Sequence, residues 1–318
     1  MPTEGFLKLV EIQTKVASVF PFLLGTFYAA YRFGTFKAEN FLLMFASLIC
    51  IDMATTAINN YMDFKRANKK RGFGYGYYNG IVRYDLKESS VKAVIYILLG
   101  LAVIFGLLLF FETNYTILIL GVISFSIGIL YSFGPVPISH TPFGEILSGS
   151  FMGIMITFIA IYIHVFDRNL LNISMQSGFL DLKMNVPEIL YIILISIPPA
   201  AGIANIMFAN NICDMDDDIE NKRYTLPIYI GRENALKVFR ILYYIGYGSL
   251  IISLILKVAP IVSVLVLFTF IFVNRNIKLF YEKQSKKDTF ILAVKNSVVI
   301  NASMVMTLAI AVILKYAL

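Results

Sequence analysis

The sequence predicts an all-α, polytopic membrane protein with nine transmembrane helices, and three observations carry that prediction. Of 318 residues, 58% are hydrophobic and 15% charged, where a soluble domain carries roughly 25% charged residues. The mean hydropathy is +0.75. Apolar stretches recur along the whole chain, at or beyond the roughly 18–20 residues that a helix needs to cross a hydrocarbon core. Stretches such as Val94 to Phe111 do not alternate in polarity, which excludes the segments of about ten alternating residues that build a transmembrane barrel.

Apolar windows bounded by charges place the spans, in order, at 13–32, 40–60, 93–111, 115–132, 145–166, 187–210, 237–256, 259–274 and 290–314. Lys92 and Glu112 bracket the third, Glu145 and Asp167 the fifth, and Arg275 closes the eighth. Loops 61–91, 211–236 and 275–289 hold most of the loop Lys and Arg. The positive-inside rule then puts these loops, 132–144 and the N-terminus in the cytoplasm, with the C-terminus outside, in a multi-pass protein of the cell (plasma) membrane. The chain reads as one membrane-embedded domain over 1–318. Its opening residues carry Glu4 and Glu11 and lack a basic start and a small-residue cleavage site, so no signal peptide is expected. Cys50 and Cys213 have neither metal nor redox spacing, and no disulfide is expected. The net charge of +7 fits cytoplasmic loops facing anionic lipid, so the lipid bilayer is the expected partner and nucleic acid is not.

One internal echo stands out. Asn59-Asn60-Tyr61-Met62-Asp63 ends the second span and Asn210-Asn211-Ile212-Cys213-Asp214 ends the sixth, both reading Asn-Asn-x-x-Asp. Four spans separate the two ends, so both copies fall on one side of the membrane and can face one cavity. Residues four apart share a helix face, which makes Asn210, Asp214 and Asp218 one stripe, with Asn211 and Asp217 beside it. In the first copy the stripe is Asn59 and Asp63, with Ala67 at the third position. Carboxylates and amides near membrane depth are expensive and mark a cavity or pathway. Hard oxygen donors suit magnesium, which takes one or two protein carboxylates and completes its shell with water and phosphate oxygens. Asp63, Asp214, Asp217 and Asp218 are therefore candidate metal ligands, and two facing stripes could bridge a diphosphate. Lys65, Lys222 and Arg223 could contact phosphate. The run Lys69-Lys70-Arg71 reads instead as a solvated loop obeying topology.

The second motif and its sequel, NNICDMDDDIENKRYTLPIYIGRENA, closely resemble the second aspartate motif of the UbiA superfamily of intramembrane aromatic prenyltransferases. Asn210, Asn211, Asp214, Asp218, Thr225 and Leu226 meet its spacing. The resemblance extends to TKVASVFPFLLGTFYAA in the first span and YSFGPVPISHTPFGEILSG after the fourth. Tyr131, Gly134, Pro135, Gly144 and Glu145 of the latter make the nearest branch look like the 1,4-dihydroxy-2-naphthoate polyprenyltransferases of menaquinone synthesis.

The resemblance implies a helical bundle around a central cavity open to the cytoplasmic side. It implies Mg2+ on Asp63, Asp214 and Asp218, which would be the catalytic residues, and a polyprenyl diphosphate whose departing diphosphate they neutralise. An electron-rich aromatic acceptor, most simply dihydroxynaphthoate, would attack the allylic carbon and lose carboxylate. Asn59, Asn60, Asn210 and Asn211 would complete the substrate site. Tyr61 and Tyr131 are candidates to shield the cation by cation–π contact, against roles in packing or at the interface. Lys15 stands where the family usually has a basic residue, either binding diphosphate or acceptor carboxylate or anchoring the first span.

The first motif departs from the family pattern. Asn60 replaces an expected Asp, and Ala67, Asn68 and Lys69 stand where later acids are expected. Asp52, seven residues before Asn59, either compensates from deeper in the cavity or is bonded, neutral, to a neighbouring helix. Reduced activity, or another aromatic or lipid acceptor, remains open. A transporter is the rival from another class, but inverted repeats put their copies on opposite faces. His140 and His164 read as structural. Gly72 to Tyr78, rich in Gly and Tyr, reads as a flap over the cavity.

Overall fold

The computed structural model describes residues 1–66, 79–176 and 178–317. Among these, nine helices are long and apolar enough to cross a membrane: Ile12–Phe33, Ala38–Lys65, Glu88–Glu112, Tyr115–Ser132, Gly144–Val165, Val186–Cys213, Arg232–Ile255, Ile261–Glu282 and Phe290–Ala317. Each coincides with an expected span. Several run further than the apolar windows, because a helix keeps its backbone hydrogen bonds into the polar interface where hydropathy has already fallen. The second helix continues to Arg66, which makes the whole first Asn-Asn-x-x-Asp motif helical. The basic run 69–71, the replaced positions 67–69 and the expected flap 72–78 lie outside the described residues.

The bundle is inverted relative to a soluble core. Ile261 is 82% exposed and Phe111 73%, as expected for flanks that face lipid. Span five approaches spans one and six closely, through small residues that let backbones meet. A Cβ on Gly153 would lie 2.3 Å from Ala200 Cα, and one on Gly149 would lie 2.7 Å from the Ala200 carbonyl oxygen. Both positions therefore need glycine. They fall in a π-helical segment, Gly149–Met155, within the fifth span, opposite Pro198 and Pro199 of the sixth. The π turn shifts the register of the fifth helix just before the site end of the bundle.

The all-α expectation needs one amendment. Between spans five and six, Leu171–Gln176 and Phe179–Met184 form an antiparallel hairpin. Gly178 takes φ +81° at its turn. The hairpin is tied to the bundle by the Tyr162 hydroxyl, which donates to the Leu171 carbonyl at 2.8 Å, and by the Ile173 amide, which donates to Thr116 Oγ1 at 3.0 Å. At this end Arg32 pairs with Glu188 at 2.6 Å and Lys37 with Asp167 at 2.8 Å. The Lys37 ammonium holds the Asp167 carboxyl below its ordinary range. His164, fully buried, accepts the Lys37 amide at 3.1 Å. Both Asn-Asn-x-x-Asp motifs lie at the opposite end.

Candidate functional site

The sixth span ends at Cys213, and the chain turns at Asp214 into a short helix, Met215–Glu220. The Asp218 amide donates to the Asp214 carbonyl at 2.8 Å, so the two aspartates stay one turn apart. Asp214 is ion-paired with Lys286 from the loop after span eight. Asp218 is 3% exposed. Its Oδ1 lies 3.4 Å from Arg223 Nε, while Oδ2 is buried without a partner among the described residues. Burial pushes the Asp218 carboxyl up to about 6, with Arg223 pulling the other way and Asp214 adding to the rise. Asn211 is fully buried, and its Nδ2 donates to Glu145 Oε1 at 2.7 Å. Asn210 Nδ2 lies 3.5 Å from Asn211 Oδ1. Asp217 and Lys222 are exposed.

On the second span, Asp52, Thr56, Asn59 and Asp63 fall on one helix face. Lys15, 5% exposed, crosses from the first span and donates to Asp52 Oδ1 at 2.6 Å and Thr56 Oγ1 at 2.7 Å. Lys15 is thus a buried, compensated charge in the wall that carries Asn59 and Asp63, and Asp52 is its partner. Asn60 turns away. Its Nδ2 donates to the Leu9 carbonyl at 2.9 Å, and its own carbonyl accepts from Asn79 at 2.8 Å, a tie between the amino-terminal segment and the second span. Tyr61 and Lys65 also leave the expected site. They sit about 200° around the helix from Asn59 and Asp63. Both reach Glu88 in the first turn of span three, Lys65 at 2.9 Å and Tyr61 at 3.3 Å.

The structure therefore brings together Asn210, Asn211, Asp214, Asp218, Arg223 and the neighbouring Tyr131, and it directs Asn60, Tyr61 and Lys65 to other contacts. The four carboxylates expected as ligands are not one cage. Among the described residues no three His, Cys, Asp or Glu side chains converge; Asp217 faces solvent and Asp63 belongs to the other span. The donors nonetheless fit magnesium: hard oxygens, few carboxylates and a buried Asp218 Oδ2 with no partner among the described residues. Sequence reasoning passed over Glu145 as a side chain at this site, although a glutamate opening an apolar span is itself a signal. Lys286 carried none. Loop 133–143 and segment 221–229 enclose a cleft of about 370 Å³, lined by Pro137, His140, Lys222, Tyr224 and Tyr229 among others. The Tyr224 amide donates to the His140 carbonyl at 3.2 Å across it.

Among the described residues, nine membrane-length helices with two Asn/Asp motifs at one end define a membrane-embedded helical bundle with a polar mouth. The chain belongs to the UbiA prenyltransferase family, which matches residues 18–298, and is a prenyltransferase. It is 32% identical over 241 residues to 1,4-dihydroxy-2-naphthoate octaprenyltransferase of Bacillus subtilis (strain 168), a match spanning 76% of this chain and 70% of that one. Its fold is that of a UbiA homologue from Archaeoglobus fulgidus solved with GPP and Mg2+ (TM-score 0.67, 13% identity, 97% of this chain and 99% of that one). An apo UbiA homologue from Aeropyrum pernix K1 shares it too (TM-score 0.65, 17% identity, 96% and 98%).

Proposed function

We propose that the protein transfers a polyprenyl group from a polyprenyl diphosphate to 1,4-dihydroxy-2-naphthoate, giving a demethylmenaquinone in its reduced, quinol form. The observation that carries the chemistry is the Asp214–Asp218–Arg223 arrangement, with a buried carboxylate oxygen free to bind a cation. The acceptor is supported by the relative from Bacillus subtilis.

Asp214 and Asp218 would hold Mg2+, with Asp63 supplying a further carboxylate from the second span. Bound there, the ion would offset charge on the departing diphosphate. Arg223 and the exposed Lys222 lie on the same loop, placed to take phosphate oxygens, and Lys286 becomes available to them when Asp214 turns to the ion. The allylic C–O bond breaks with its electron pair leaving on the diphosphate. The ring carbon bearing the carboxylate forms the new C–C bond. Loss of that carboxylate as carbon dioxide returns an electron pair to the ring and restores aromaticity. Lys15, held by Asp52, presents a compensated charge deeper on the same wall. Apolar spans around the site keep water from the allylic cation.

The same reading makes 1–318 one functional unit in the plasma membrane, its N-terminus and site cavity on the cytoplasmic side and its C-terminus outside. The test is purified protein in nanodiscs with dihydroxynaphthoate and a polyprenyl diphosphate, with and without Mg2+, and mass spectrometry of the lipid extract. A Mg2+-dependent demethylmenaquinol, detected as demethylmenaquinone after air oxidation of the extract, is expected. A product formed only with another aromatic acid would overturn the choice of acceptor, and ion-coupled solute uptake without any transfer would overturn the reading as a whole.

A further inference from the structure

The side-chain amide of Asn60 is turned to other segments of the chain rather than to the site. Both of its hydrogens have acceptors, the Leu9 carbonyl at 2.9 Å and Glu11 Oε1 at 3.3 Å, and the residue is 6% exposed. The Asn60 carbonyl accepts from Asn79 Nδ2 at 2.8 Å, while Asn79 Oδ1 accepts the Ile81 amide at 2.9 Å. Asn60 thus joins the amino-terminal segment and residues 79–81 to the end of the second span. Packing follows the bonds. Leu9 and Val10 are fully buried, Leu9 among Ala57, Ile58, Ile81 and Leu86, and a Cβ on Gly80 would lie 3.1 Å from the Leu9 nitrogen. Glu11 takes φ 47°, a left-handed conformation that a residue with a side chain keeps only where its surroundings fix it.

This junction holds the turn that carries Asn59 and Asp63. The second span ends at Arg66, so Asp63 stands in its last turn, where a helix has lost part of its hydrogen-bond ladder and opens most easily. Asn60 lies beside Asn59 and about 60° around the helix from Asp63. Pinning one side of that turn fixes the directions of the side chains next to it. The chemistry of the pin is exacting. An aspartate of the same shape has no hydrogen to give and would set its charge against the Leu9 carbonyl and the Glu11 carboxylate. Position 60 therefore calls for an amide, although a second carboxylate close to Asp63 would by charge alone strengthen a cation site.

We propose that Asn60 is a positioning residue of the reaction: through Leu9, Glu11 and Asn79 it fixes the last turn of the second span, and with it Asp63 at the Mg2+ site, and it binds no metal itself. This rests on the reading of Asp63 as a Mg2+ ligand, and Asp63→Ala is measured alongside so that the two can be told apart.

The experiment uses full-length protein in nanodiscs, with hydrogen exchange across residues 3–15 and calorimetric Mg2+ titration as readouts. Asn60→Asp should speed exchange of residues 9–15 about tenfold, since the Leu9 carbonyl loses its donor. It should also weaken Mg2+ binding about tenfold, the lower end for removing a group that orients a ligand. Adding Glu11→Gln to Asn60→Asp should return both readouts to within about threefold of wild type, because an amide at 11 can donate to a carboxylate at 60 and rejoin the segments with the bond reversed. Asn79→Ser keeps an oxygen to cap the Ile81 amide but loses the donor to residue 60, and should produce both changes at about threefold; it carries the test if Asn60→Asp does not fold. Asp63→Ala should weaken Mg2+ binding about tenfold or more and leave exchange of 9–15 unchanged. Tighter Mg2+ binding by Asn60→Asp with exchange unchanged would overturn the proposal and return residue 60 to the metal site. Faster exchange with wild-type Mg2+ affinity, beside a weakened Asp63→Ala, would overturn it too and leave the junction a packing contact. Wild-type Mg2+ affinity in Asp63→Ala would refute the reading of Asp63, and the proposal with it.

Discussion

The Lys15–Asp52 pair gives the most quantitative prediction. Both side chains are buried, at 6% and 11% exposure, 2.6 Å apart, and Ser18 Oγ donates to the second Asp52 oxygen at 2.5 Å. Removing one partner of such a pair strands a charge and costs about 3–5 kcal/mol, whereas replacing both with apolar residues is nearly neutral. Asp52→Leu should leave Lys15 with only the Thr56 hydroxyl and the residue 52 carbonyl, and Lys15→Met should leave Asp52 with Ser18. Each single variant should lower the unfolding midpoint by about 6–20 °C, taking roughly 2–4 °C per kcal/mol for a chain of this size. The double variant should recover most of that loss, so the cycle shows a coupling of about 6 kcal/mol, the sum of the two single losses at their lower bound. The assay is thermal unfolding in detergent, followed by loss of the monodisperse peak in size exclusion. Additive losses in the double variant would refute the claim that these charges are held chiefly by each other.

Three further predictions follow from single contacts. Gly153→Leu should abolish folding and Gly153→Ala should lower the midpoint, since a Cβ meets Ala200 Cα at 2.3 Å and overpacking a close helix crossing costs about 1–3 kcal/mol or more; thermal scans of the two variants check it. Lys65→Ala should change kcat and the diphosphate KM by less than about twofold, because Lys65 pairs with Glu88 and exposed pairs contribute about 0–1 kcal/mol; steady-state kinetics check it. Mg2+ affinity should fall about tenfold between pH 7 and pH 5, because the Asp218 carboxyl is raised to about 6, is mostly protonated below that value, and must lose its proton to bind a cation. Calorimetric Mg2+ titration across this range checks the sign.

The spans were legible because hydropathy and helix length report the same physical requirement, that backbone polar groups in lipid be satisfied within one segment. The hairpin at 171–184 was not, since it lies between apolar windows and owes its place to Thr116 and Tyr162 on other spans. The second motif was read as one helix stripe; the helix instead breaks at Asp214, and the bonds from the Asp214 amide to the Asn210 carbonyl and from the Asp218 amide to the Asp214 carbonyl keep the three residues one turn apart. In the first motif Asn59, Asn60, Tyr61 and Asp63 were all read as site residues, although a helix turns Asn59 and Tyr61 about 200° apart, and Asn60, Tyr61 and Lys65 make contacts elsewhere. Partnerships across spans left no trace in local sequence. Lys15 with Asp52, Glu145 with Asn211 and Asp214 with Lys286 join residues that only the packed bundle brings together.

The central claim is that Asp218 and its neighbours activate a prenyl diphosphate. Its most direct test is the rate of prenyl transfer to dihydroxynaphthoate by Asp218→Ala against wild type, at saturating Mg2+ and at matched thermal stability. A loss of about 10²–10³ or more in kcat is predicted, the scale expected for removing a group that stabilises developing charge. Wild-type turnover by the variant would contradict the account.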